Sequence, residues 1–227
     1  MAVSMSSNEA PRTPLVLVVM ALLVVGGVYF VYDESRSGQM RDLDAWASTP
    51  LSREEIRGRL ADEAADADDL GHALIQLELL ANGASADGLS ALVDFLPAVY
   101  ERGDDRVRQL TLFTARAFRG DDIVRLLGRA LGDDVAAVRL EAAVGLAAFR
   151  DRRAAPLLAD AIDAVRPDHA LRRRELLRAY SLVAIAEHES RINEWLRVAR
   201  IDDDADAVQH CEAALRALAE SDDEPGR

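Results

Sequence analysis

The chain contains no lysine: all 27 basic residues among its 227 are arginine. So one-sided a usage is the imprint of a GC-rich genome rather than of a function. Cysteine is nearly absent too. Cys211 stands alone, which excludes an intrachain disulfide and leaves the redox compartment open. Aromatic residues make up only 5% of the chain, so its core must be assembled from aliphatic and small side chains, a composition that suits closely packed helices. Positive charge is in deficit, with 40 acidic residues and a net charge of −13; such a surface repels polyanions, and nucleic acid is not an expected partner. No alternating strand pattern occurs, and the 13 glycines are scattered as helix stops rather than gathered into a phosphate-binding loop.

What the chain does have, near its start, is one uninterrupted apolar run. Residues 15–32 carry no charge and no proline, and only Gly26 and Gly27 break the succession of larger apolar side chains. Eighteen helical residues reach about 27 Å, close to the hydrocarbon thickness of a bilayer. Tyr29, Phe30 and Tyr32 crowd its C-terminal end, where amphipathic rings prefer the headgroup layer. The reading is a tail at 1–14 and a single transmembrane helix at 15–32. A cleaved signal peptide is the competing reading, but no small-x-small cleavage site precedes Asp33. The basic count is Arg12 on one side against Arg36 and Arg41 on the other, whereas the free amine, the Asp33-Glu34 flank and the acidic body favour a cytoplasmic N-terminus with an extracytoplasmic body.

Residues 33–50 read as a linker, with a short helix around Met40 to Ala47 and a Thr49-Pro50 break. A helical body is expected over 51–220, followed by a tail at 221–227. Ser52-x-x-Glu55 is a capping box that opens a first helix, and Asp66 to Asp69 opens a second that stops at Gly83. The later breaks are acidic or glycine-bearing: Gly103-Asp104-Asp105, Gly120-Asp121-Asp122, Gly132-Asp133-Asp134, Asp151, Pro167-Asp168 and Asp202 to Asp204. Aspartate at a helix start accepts unsatisfied N–H groups and meets the positive end of the dipole. None of these clusters has the spacing of a calcium loop.

A self-repeat runs through the middle of the body. Val107-Arg108, Ala117-Phe118-Arg119, Leu126-Leu127 and Ala130-Leu131 recur 31 residues later as Val138-Arg139, Ala148-Phe149-Arg150, Leu157-Leu158 and Ala161-Ile162. In the second unit Val135, Val138, Ala142, Leu146 and Phe149 form one apolar stripe, and Leu140, Ala143, Val144 and Ala147 form another beside it. A helix apolar on two flanks packs against its own partner and against a neighbouring unit.

The pattern Asp134-x-x-x-Val138-Arg139-x-x-Ala142-Ala143-x-x-Leu146, followed by Asp151, Leu157-Leu158 and Ala161-Ile162, resembles a HEAT repeat of the short bacterial kind related to the phycobilin-lyase repeats. The preceding unit departs from it at Thr111, Thr114 and Ala115. Residues 168–199 make a longer, less regular unit, and Cys211-Glu212-Ala213-Ala214 echoes the motif as a closing half-unit. The resemblance is specific over 104–164 and suggestive elsewhere. It implies an all-α, HEAT-like α-solenoid of about four helical pairs, with a habit of binding proteins along a concave face, and it implies no reaction.

Candidate chemistry is sparse. Some HEAT-like hydroxylases hold two irons with repeated His-Glu pairs; here His188-Glu189 is the one such pair, and it falls in a break between helices. His210 and Cys211 are sequence neighbours and point to different faces of a helix. No catalytic set, metal site or cofactor is therefore expected. Arg172-Arg173-Arg174 with Arg178 is the one concentrated basic patch. On a helix through 168–186, Leu176, Tyr180 and Val183 face the core, with Leu177 and Ala184 close by, which leaves Arg174, Arg178 and Ser181 on the wet side. As a plain solvated face the patch would hold a Glu175–Arg178 pair. As a functional one, Arg172, Arg174 and Arg178 would dock an acidic segment of a partner. The expected function is that of a membrane-anchored scaffold for an unidentified protein partner; the alternative is a lyase-like or ligand-binding enzyme subunit.

Overall fold

Serine or aspartate starts four of the helices of the computed structural model, which describes residues 45–83, 88–166 and 168–222. The apolar run at 15–32 and the tails at 1–14 and 223–227 lie outside the described residues. Among the described residues no helix is long and apolar enough to cross a membrane, and none forms a strand.

Eleven α-helices follow in order: α1 (Arg53–Ala61), α2 (Ala67–Asn82), α3 (Ser90–Val93), α4 (Leu96–Arg102), α5 (Asp105–Ala115), α6 (Asp121–Ala130), α7 (Ala136–Ala148), α8 (Ala155–Ala164), α9 (Ala170–Tyr180), α10 (Glu189–Ile201) and α11 (Ala205–Asp222). Ser52 and Glu55 form the reciprocal capping box of α1, each accepting from the other's backbone N–H. Asp66 accepts from the N–H groups of Asp68 and Asp69, Asp104 from that of Val107 at 2.8 Å, and Asp204 from that of Ala207 at 3.0 Å. Three clusters act differently. Before α7 the cap position is Val135, which makes no side-chain capping bond, and Asp133 accepts from the Val135 N–H and the Tyr100 hydroxyl. At α6 it is Gly120, with φ +143°, that takes the cap position, leaving Asp121 and Asp122 in the first turn to meet the dipole. At α9 the cap position is His169, which makes no side-chain capping bond.

Helix ends are less regular than the glycines suggest. Arg150 closes α7 with φ +58°: its N–H donates to the Ala147 carbonyl and the Asp151 N–H to that of Leu146, the paired bonds of a Schellman ending. Asp203, φ +53°, follows α10 in the same conformation, and the Asp204 N–H donates to the Ala199 carbonyl.

The helices pack in two rows. α2, α5, α7, α9 and α11 form the first, each touching the next; α1 lies against α2, α4 against α5, α6 against α7, α8 between α7 and α9, and α10 against α11. The stripes on α7 explain its central place. Val138, Ala142, Leu146, Ala143 and Ala147 are fully buried, while Val135, Leu140, Val144 and Phe149 are half-buried at the margins. A fully buried Leu or Val side chain contributes about 1.5–3 kcal/mol, so the stripes supply most of what holds α7.

The repeat offset survives in space. Val107 and Val138, Leu112 and Ala143, and Ala115 and Leu146 are pairwise buried. Along α9 the buried set shifts, so that Leu176, Leu177, Ala179 and Tyr180 occupy the places of Ala142, Ala143, Gly145 and Leu146. The triplets Ala-Phe-Arg touch one another: the Arg119 guanidinium lies 5.1 Å above the Phe149 ring.

Residues 45–48 are helical and fold back onto α2. Trp46 lies against Gly71 and stacks on His72 with centroids 6.5 Å apart, and the Arg106 guanidinium sits 4.4 Å above its ring. The His72 Nε2 is 2.7 Å from the Thr49 carbonyl oxygen, which only accepts; His72 therefore donates from Nε2, and its Nδ1 accepts from Arg59 at 3.2 Å. Gln76 donates to the Trp46 carbonyl at 2.5 Å.

Candidate functional site

Where the repeat places Leu110 on α5, it places Glu141 on α7, and both are buried. A carboxylate in a leucine position needs a counter-charge, and Arg116, at the end of α5, provides it: Nη1 lies 2.9 Å from Glu141 Oε1. Burial pushes the Glu141 carboxyl above its ordinary range, Glu175 adds to the push, and Arg116 and Arg172 oppose it.

Glu78 on α2 is a second buried carboxyl beside Arg116. Oε1 accepts from Asn82 at 2.5 Å, while Oε2 is shielded from solvent without a hydrogen-bond partner. Burial raises this group to about 7, against the pull of Arg116 and the Asn82 hydrogen bond. On α9, Glu175 continues the row and accepts from Arg172 at 2.8 Å. Four consecutive helices of the first row thus carry one line of alternating charge, Glu78, Arg116, Glu141, Arg172 and Glu175.

A groove of about 680 Å³ opens over this line. Its floor is apolar and shallow, made by Ala117, Val144, Ala147, Ala148, Ala179 and Leu182, and Leu182 remains 42% exposed. Arg119 and Arg178 stand on opposite flanks of it. Arg119 donates to the backbone carbonyls of Arg116 and Phe118. Neither guanidinium has a carboxylate partner among the described residues. A second depression of about 640 Å³, between α3, α4 and α6, shares Ala117 and Arg119 with the first.

The three arginines singled out from sequence separate here. Arg172 is spent on Glu175 and largely covered. Arg174 reaches across to α11, donating to Asp204 at 2.9 Å and to Asp206 at 3.3 Å. Burial alone would raise the Asp204 carboxyl, but the Arg174 hydrogen bond and the Ala207 N–H bring it below its usual value. Arg178 alone of the three is exposed and lines the groove. Among the described residues it pairs with neither Glu175 nor another carboxylate; burial, joined by its charge, lowers the pKa of His210 on α11. The sequence reading missed Glu78, Arg116 and Glu141, whose signal was a charged residue inside an apolar stripe, as in Leu140-Glu141-Ala142.

The histidine pair is accounted for differently. His188 ends a 3-10 turn (Ala186–His188); its Nδ1 lies 3.0 Å from the Tyr180 hydroxyl, and the two rings stack. Cys211 is fully buried, and burial pushes its thiol up to about 12.

No protein-family model, no curated protein and no solved structure matches this chain.

Proposed function

We propose that this chain is a membrane-tethered helical-repeat scaffold of HEAT-like kind, which holds a segment of a partner protein in the groove over α2, α5, α7 and α9. The observation that carries this reading is the groove itself. It is open, it crosses consecutive units, its floor is small and apolar, and its two flanking guanidiniums have no carboxylate partner among the described residues of a strongly acidic chain. The 31-residue repeat and the succession of contacts along the first row support a short α-solenoid. In this reading residues 15–32 span the bilayer once, the N-terminus is cytoplasmic, and the body lies outside.

The test is site-specific photo-crosslinking in membranes. A crosslinker in place of Leu182 should give a discrete adduct with another protein, whereas the same group in place of Glu101, exposed on α4, should not. Equal labelling from both positions would remove the groove from the proposal. Carbonate washing should leave the chain in the membrane pellet, and protease added to intact spheroplasts should digest the body; protection until lysis would reverse the orientation. A chromophore or stoichiometric metal bound to the purified chain would favour the enzyme-subunit alternative.

A further inference from the structure

We infer that the occupant of the groove is an extended, acidic peptide segment in which two carboxylate side chains bracket a short apolar stretch. The inference rests on the proposed scaffold role and names the chemistry of the segment that role requires.

Of the arginines that line the groove, Arg119 and Arg178 have no carboxylate partner among the described residues, Arg119 being held only by backbone carbonyls and the Phe149 ring. Arg119 follows α5 and Arg178 belongs to α9, so α7 lies between them with its side chains Val144, Ala147 and Ala148 as floor. Packed helices are separated by about 8–10 Å, which sets the two flanks roughly 16–20 Å apart. An extended chain advances about 3.3 Å per residue and covers that distance in about five or six residues. A helical segment needs about twelve residues to cover it, so the extended form orders about half as many residues for the same two contacts.

Charge completes the choice. Arg116 is committed to Glu141 and Arg172 to Glu175, so neither guanidinium is available to a ligand, and Glu78 is the carboxyl of the line left without an arginine of its own. Arg119 and Arg178 remain, and each guanidinium can take a carboxylate bidentately. Leu182, exposed beside Arg178, offers an apolar contact to the residues between the two carboxylates.

The experiment uses the full chain purified in mild detergent and a fluorescein-labelled peptide, acetyl-Glu-Ala-Leu-Ala-Leu-Glu-amide, read by fluorescence anisotropy. The peptide should bind saturably, and its counterpart with both Glu replaced by Lys should not. Arg178→Glu and Arg119→Glu should each weaken binding by about tenfold or more, the scale of a lost bidentate contact replaced by repulsion. A peptide with Lys at one end should regain affinity for Arg178→Glu, a charge-swap rescue that unfolding would not produce. Moving the two Glu residues next to each other should abolish most of the binding. Equal binding of the lysine peptide, indifference to both substitutions, or no binding of the glutamate peptide would overturn the inference. If the adduct at Leu182 persists in membranes in any of these cases, the scaffold role stands and only the chemistry of its ligand is wrong.

Discussion

Gly71 is the seat of Trp46. A Cβ added at Gly71 would lie 2.7 Å from two atoms of the indole ring, closer than any side chain tolerates, so the ring and an ordinary residue at position 71 are mutually exclusive. The seat of the indole on α2 depends on this one missing methyl group, beside the bonds from His72 and Gln76 that also hold residues 45–49 there.

Gly71→Ala should therefore displace the indole rather than the helix. The expected loss is about 1–2 kcal/mol, partly offset by alanine's better helix propensity. Trp46→Ala should give a similar loss, and the two should not add, because each removes the same contact. The protein has only two tryptophans, and Trp195 is buried. A red shift of emission in Gly71→Ala thus reports Trp46; an unchanged spectrum and melt would show that the seat contributes nothing.

Glu78 should make stability fall as pH rises. The folded chain holds this proton up to about 7, whereas the unfolded chain releases it near 4.5. The native state binds more protons between those values, so its advantage is lost across that window, by about 3 kcal/mol in all. Among the described residues the charged group facing Glu78 is Arg116 on the α5 side; α1, the other helix packed on α2, turns Arg59 toward His72 and Asp69 instead. Glu78→Gln lacks the transition. Urea unfolding at pH 4 and pH 8 should show the variant gaining on the parent at the higher pH, and a constant difference would refute the assignment.

Arg116→Met leaves Glu141 buried with its nearest counter-charge gone and should cost about 3–5 kcal/mol near neutrality. The loss should shrink as pH falls, because burial already raises the Glu141 carboxyl and protonation removes the uncompensated charge. Converting both residues to Met should recover much of the stability, because the pair's desolvation cost disappears with it. A double variant as unstable as the single one would show that shape rather than charge sets the penalty.

Leu146→Asp places a carboxylate at a fully buried position between stacked helices. The expected cost is several kcal/mol, enough to unfold a domain of ordinary stability. Circular dichroism at 25 °C should show loss of helix. A cooperative melt near that of the parent would mean that the stripe is not where the core lies.

Much of the fold could be read from local chemistry. The capping bonds of Ser52, Asp66 and Asp104 span at most three residues, and the burial of Val138, Ala142 and Leu146 follows from spacing on one helix. What escaped the sequence depends on partners far along the chain. Arg174 looks like a solvent-facing arginine until Asp204, 30 residues later, is brought beside it. Gly71 looks like a weak point in a helix until Trp46 arrives. The breaks at Asp151 and at Asp202 to Asp204 were legible, but not that Arg150 and Asp203 would close those helices in the left-handed conformation usually given to glycine. Of the site, Arg178 was visible as part of a basic run, while Arg116 and Glu141 needed two units to meet.

The order of contacts along the first row bears on how the chain acquires its structure. Each helix there meets the one before it and the one after it, with a second-row helix close in sequence between them. No strand has to wait for a distant partner, and no closing element brings the two ends together among the described residues. Loop-closure entropy is thus met in small instalments, and contacts of this local kind form quickly. During synthesis α1 and α2 can dock while α9 is still unmade, and every further pair lands on a surface already prepared. The exposed apolar edge at any moment is one helix wide, which limits the opportunity for aggregation while the chain is growing.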